Sequence, residues 1–140
     1  MLAPVVFLIG VMLLLSGMAT SMADEKKKIV LQISDGSEEK QALVLNVADN
    51  FVAGYGDKVV IEIVAFGPGL RLLLDGGLNN ERVKELAEKG VKFSACRNTY
   101  RKMNKMLGKE QALHKYAVEV DGGARRIVEL VEQGYILIRP

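Results

Sequence analysis

The chain has 140 residues, of which 49% are hydrophobic, 26% charged and 6% aromatic, with 14 Gly, 3 Pro and a single Cys. These proportions exclude a disordered, collagen-like or disulfide-stapled protein. A formal net charge of +2 is too small to argue for nucleic acid or an anionic membrane as a partner.

Every charged residue lies beyond residue 23. Leu2 to Leu15 is almost wholly apolar, and mostly small residues follow from Ser16 to Ala23. Ser21 and Ala23 stand where a signal peptidase reads small side chains, which predicts a leader over 1–23 with cleavage before Asp24. The apolar block is shorter than the roughly 20 residues that cross a bilayer comfortably. The expectation is a periplasmic or secreted protein with no stable membrane association after cleavage. Lys26-Lys27-Lys28, just after the block, is the feature that suits an uncleaved anchor instead. Residues 24–140, 117 in number, suffice for one domain with one core.

Ile29-Val30-Leu31-Gln32-Ile33 predicts a first strand. Ser34-Asp35-Gly36-Ser37 is a turn cluster, and Asp35 with Glu38 is spaced as a helix start. Val44, Val47, Ala48, Phe51, Val52 and Tyr55 recur at helical spacing, with Gly54 or Gly56 as the stop. Val59 to Phe66 is a second strand, apolar enough for a sheet covered on both faces. Gly67-Pro68-Gly69 breaks it, and Leu70 to Leu74 predicts one or two helical turns. Asn80 is placed to cap a helix through Lys89, with Val83, Leu86 and Ala87 facing inward. Val91 to Ala95 alternates as a third strand with Cys96 at its end. Asn98-Thr99 opens a helix that turns Tyr100, Met103 and Leu107 inward. Val118 and Val120 predict a fourth short strand. Asp121 or Gly122 starts a last helix burying Ile127, Val128, Leu130 and Val131, and Tyr135 to Ile138 is a final strand. Strand–helix alternation predicts an α/β fold, a three-layer α/β/α sandwich on a mainly parallel sheet of about five strands. Ligands are expected at the carboxyl ends of those strands.

Cys96 is the most informative residue. An exported chain with one cysteine makes no internal disulfide, so Cys96 is a buried filler, an intermolecular link or a reactive thiol. Its place between a strand and a helix puts helix amides and a positive dipole end beside it, and Arg97 and Arg101 add positive charge. A thiolate attacks sulfane sulfur or a disulfide; a packed free Cys does neither. The Gly67-Pro68-Gly69 loop lies on the same edge of the sheet, where its amides either receive an anion or form a tight turn. Ser34 to Ser37 occupies the phosphate position of flavodoxin-like folds, and serves equally as a helix cap.

His114 is the only histidine and stands in a polar stretch, which predicts exposure. Cys96, Met103, Met106 and His114 form a possible Cu(I) set, although two methionines three residues apart on a helix also make ordinary core. Arg97, Arg101, Lys102, Lys105 and Lys109 give a basic helix surface, either solvated or docked by an acidic partner. No Ser-His-Asp arrangement and no carboxylates spaced for glycoside chemistry stand out. No cofactor is implied.

Val64-Ala65-Phe66-Gly67-Pro68-Gly69-Leu70, the block Gly90 to Thr99 ending in Cys96-Arg97-Asn98-Thr99, and the ending Gly134 to Pro140 together resemble the DsrE/DsrF-like family. The resemblance spans nearly all of 28–140. It implies a compact α/β/α subunit that assembles into homo-oligomers, trimers or hexamers, and a cysteine that carries sulfur as a persulfide between a donor and an acceptor protein or small thiol. Cys96 matches that position. On this reading Cys96 is the catalytic residue, the start of the last helix stabilises its anion, and Arg97, Asn98, Gly67 and Gly69 bind around it, with no resident metal.

Overall fold

Short apolar runs separated by amphipathic helices build the elements in strict alternation. They are β1 (Lys27–Ile33), α1 (Glu38–Tyr55), β2 (Val59–Ala65), α2 (Asn80–Glu88), β3 (Lys92–Cys96), α3 (Arg97–Leu107), β4 (Ala117–Val120), α4 (Gly123–Glu132) and β5 (Ile136–Ile138). Two 3-10 segments, Gly56–Lys58 and Gly67–Leu73, join them. This computed structural model describes residues 25–140, so the predicted leader lies outside the described residues. The strands lie in the order β4-β3-β2-β1-β5, and every pair is parallel. The fold is the expected α/β/α sandwich.

The register sorts the core into two unequal halves. Ile29, Leu31 and Ile33 of β1 align with Ile61, Ile63 and Ala65 of β2, and Phe93 and Ala95 of β3 continue the row. That face packs against Val44, Leu45 and Ala48 of α1, Val83 and Leu86 of α2 and the buried leucines of Gly67–Leu73, with Tyr100 and Met103 of α3 at its margin. The opposite face offers Val30 and Val64, and α4 covers them with Ile127 and Leu130. Each fully buried Leu or Ile contributes about 1.5–3 kcal/mol, so most of the hydrophobic stabilisation lies on the first face.

The face under α4 carries a buried carboxylate as well. Glu62 is 4% exposed. Ser94 Oγ donates to its Oε1 at 2.8 Å, and Arg126 of α4 approaches both carboxylate oxygens at 3.1–3.3 Å. Removing one member of such a pair leaves a buried charge uncompensated, at a cost of about 3–5 kcal/mol.

Several local expectations change. Ser37, not Asp35, caps α1, accepting from the Lys40 amide at 3.2 Å, while Asp35 accepts from the Ser37 amide at 2.8 Å. That amide and the Ser37 hydroxyl hold the Asp35 carboxyl below its usual pKa. Asn79 precedes α2, leaving the Asn80 side chain to accept from the Gly76 amide at 2.7 Å. Tyr55, Leu107, Val128 and Val131, expected inward, are exposed. Tyr55 and Leu107 end their helices, and α4 meets the sheet along one narrow stripe of Gly123, Ile127 and Leu130.

His114 is also displaced from expectation: it is 7% exposed. A single antiparallel bridge, Leu74 to Leu113, folds its segment inward. Its Nε2 donates to the Asn80 carbonyl at 3.1 Å, and its Nδ1 accepts from the Tyr116 amide at 3.2 Å.

Gly69 and Gly54 respond oppositely to alanine. A Cβ on Gly69 would lie 2.2 Å from the Ile33 carbonyl oxygen, whereas nothing stands within 4 Å of one on Gly54. Gly69→Ala is expected to lower stability by about 1–3 kcal/mol. Gly54→Ala, inside a helix, is expected to raise it by about 0.4–1 kcal/mol. Urea midpoints of the two variants check both signs.

Candidate functional site

β3 and β4 are neighbours, yet their following helices leave on opposite faces of the sheet. α3 packs on the side of α1 and α2, and α4 on the other. Adjacent strands whose helices diverge leave a crevice outside their carboxyl ends, the usual ligand position in open α/β sheets. Cys96 is the last residue of β3 and is in register with Val120, the last of β4.

The environment of the thiol sets two effects against each other. Cys96 is 5% exposed, and burial pushes its pKa up. The Thr99 hydroxyl and amide, the Gly123 amide and the Asn98 amide act the other way and prevail, so the thiol lies below its ordinary pKa. Asn98 and Thr99 belong to the first turn of α3, and Gly123 is the first residue of α4. The sulfur therefore faces the positive ends of two helices.

Thr99 links a second loop to this arrangement. Its Oγ1 accepts the Gly67 amide at 2.9 Å. The hydroxyl receives that proton and is left to give its own to the sulfur. α4 comes this close because residue 123 has no side chain: a Cβ there would lie 2.7 Å from the Phe66 Cβ.

The residues singled out from the sequence take different positions. Cys96 and the Asn98 amide meet. Gly67 reaches the sulfur through Thr99, and Gly69 packs its backbone against the end of β1. Arg97 turns towards β4, where its Nε lies 3.0 Å from Glu119 Oε2 and its guanidinium also binds Asp121. Its charge is taken by those carboxylates. A cavity of about 350 Å³ opens at the same end of the sheet, lined by Val120 and Gly122 and by the paired side chains of Arg97, Arg125 and Arg126 with Glu119, Asp121 and Glu129; Cys96 itself does not line it.

The Cu(I) set does not converge. Met103 and Met106 lie about 9 and 14 Å along α3 from its start. Met106 is 76% exposed, Met103 packs at the margin of the core, and both His114 ring nitrogens are engaged. Among the described residues, no three His, Cys, Asp or Glu side chains are grouped to hold a metal ion.

The sequence reasoning passed over the Thr99 hydroxyl. Its signal was present: Thr99 stands three residues after the cap position, the spacing at which a side chain reaches back to a helix cap. The Gly67–Thr99 contact, between residues 32 apart, carries no local signal.

Thr99→Val removes the hydroxyl from the sulfur and the acceptor from Gly67. The pH midpoint of native Cys96 alkylation is expected below the reference of about 8.5 in the wild type and higher in this variant. Thr99→Ser should stay near the wild type, since it keeps the donor.

No family model and no curated protein matches the chain. A solved structure is similar to it, a protein of unknown function from Methanobacterium thermoautotrophicum. The two are 29% identical, with a TM-score of 0.74 over 82% of this chain and 100% of that one.

Proposed function

We propose that this protein is an exported sulfur carrier of the DsrE/DsrF-like type, a persulfide-forming sulfurtransferase-like protein that works through Cys96. The observation that carries the proposal is the thiol held below its ordinary pKa at the start of two helices, in the crevice between β3 and β4. A packing cysteine needs no donors, and this one faces a hydroxyl and three amides.

The chemistry needs no external oxidant. The Cys96 thiolate attacks the sulfane sulfur of a protein persulfide or a thiosulfate-type compound. One S–S bond forms as another breaks, and the donor leaves as a thiolate or sulfite. Cys96 then holds Cys–S–S⁻. An acceptor thiolate attacks the outer sulfur, and Cys96 departs as the thiolate it began as. Helix amides hold the charge in both resting states, as they hold other anions.

Two surface features support macromolecular partners. Arg101, Lys102 and Lys105 on α3 and Lys109 just beyond its end form no ion pairs among the described residues, a basic approach for an acidic donor or acceptor. Val128, Val131, Ile136 and Leu137 are exposed on consecutive elements and suit burial between copies in a homo-oligomer, a trimer or hexamer.

The low exposure of Cys96 favours a second reading, a non-catalytic subunit whose thiol only packs. Incubation of residues 24–140 with polysulfide, followed by intact mass, separates the two. The carrier gains sulfur that a reductant removes, and Cys96→Ser gains none. Equal adducts on both proteins, or none on either, reject the carrier reading.

A further inference from the structure

We infer that Glu62, Arg126 and Ser94 form a positioning tether that holds the first amide of α4 against the Cys96 sulfur. The inference rests on the reading of Cys96 as an ionised thiol, and it extends that reading to residues a strand and a helical turn away. Three placements carry it. Ser94 lies two residues before Cys96 on β3, so both side chains leave the same face of the sheet. Gly123 and Arg126 are three residues apart on α4 and share its sheet-facing side. Glu62 joins them: it accepts Ser94 Oγ at 2.8 Å and two nitrogens of Arg126 at 3.1–3.3 Å.

A forked guanidinium on a carboxylate fixes orientation as well as distance. Hydrophobic contact does not, and α4 has few other constraints on its register: Ile127 and Leu130 in the apolar cluster and the close seat of Gly123 on Phe66. The tether therefore sets how far along the sheet α4 lies, and so where the Gly123 amide points. Burial of Glu62 at 4% exposure keeps water from replacing the contact. Of the other charged groups on the elements around the sulfur, Arg97 pairs with Glu119 and Asp121, Arg125 with Asp121 and Glu129, and Arg126 also with Glu129. Lys92 of β3, Arg101, Lys102 and Lys105 of α3 and Glu132 of α4 form no ion pair among the described residues.

Electrostatics and positioning predict opposite signs for one substitution. Glu62→Gln removes a negative charge from beneath the site, which by charge alone makes the thiolate easier to form. If the carboxylate instead aims the amide, its loss lets α4 shift, and the thiolate becomes harder to form. The experiment is the pH dependence of native Cys96 alkylation by iodoacetamide in residues 24–140, with far-UV circular dichroism to verify folding. Positioning predicts a higher midpoint for Glu62→Gln, with alkylation at pH 7 about threefold to tenfold slower and an unchanged plateau at high pH. Should that variant fail to fold, the double variant Glu62→Met with Arg126→Met replaces the pair by packing of similar volume. It should fold and show the same upward shift. A midpoint equal to or below the wild type in either folded protein overturns the tether. If the variants' midpoints rise as predicted while the wild type takes up no sulfur, only the carrier reading is overturned.

Discussion

The step from β4 to β5 constrains everything at the carboxyl edge of the sheet. β1 to β4 are laid down side by side in one direction, and the chain then returns past all of them to pair β5 with β1. α4 makes that return on the face that α1, α2 and α3 leave open. As a consequence α3 and α4 start from neighbouring strands and diverge, and both first turns face the end of β3. A sulfur at that point meets amides from two helices that are far apart in sequence. Burial alone would favour the neutral thiol, and the amides reverse the balance.

The same topology leaves α4 alone on its face, with consequences for what can stabilise an anion. The pairs around it run continuously from Glu119 through Arg97, Asp121, Arg125, Glu129 and Arg126 to Glu62. Each guanidinium at the cavity is answered by a carboxylate. A negative sulfur is thus balanced by amides and a hydroxyl rather than by a free cation. Amide dipoles fixed by the fold need no rearrangement when charge develops, whereas a guanidinium would have to leave its partner. The exposed pairs in this chain add little individually to stability. Glu62 with Arg126 differs because the carboxylate is buried, so its geometry is enforced.

Much of the fold is legible because its signals are local. Ile29 to Ile33 and Val59 to Ala65 are apolar runs bounded by turns, as parallel strands covered on both faces must be. Cys96 at a strand-to-helix junction is visible for the same reason. What escaped depends on pairings between distant residues. Glu62 stands inside an apolar run, and its partner Arg126 comes 64 positions later, so neither betrays the other. Arg97 adjoins Cys96 in sequence, yet Glu119 and Asp121 from the next strand draw its side chain away. His114 sits among polar neighbours, and only the bridge between Leu74 and Leu113 buries it.

On the carrier reading, loading changes the site as well as the sulfur. An S–S bond of about 2.05 Å carries the negative charge one atom beyond the position that Thr99 and the first amides surround. The inner sulfur, now uncharged, loses most of what the hydroxyl offers. The outer one needs donors beyond those that surround the resting sulfur. The first amide of α4 already faces the resting sulfur, and its direction depends on how the helix is seated. Empty and loaded forms thus draw on one edge, where Thr99 and the first turn of α3 act together with the first amide of α4. That shared dependence on the seat of α4 gives a physical reason for a buried, forked ion pair beneath it, where an apolar contact would have been enough to cover the sheet.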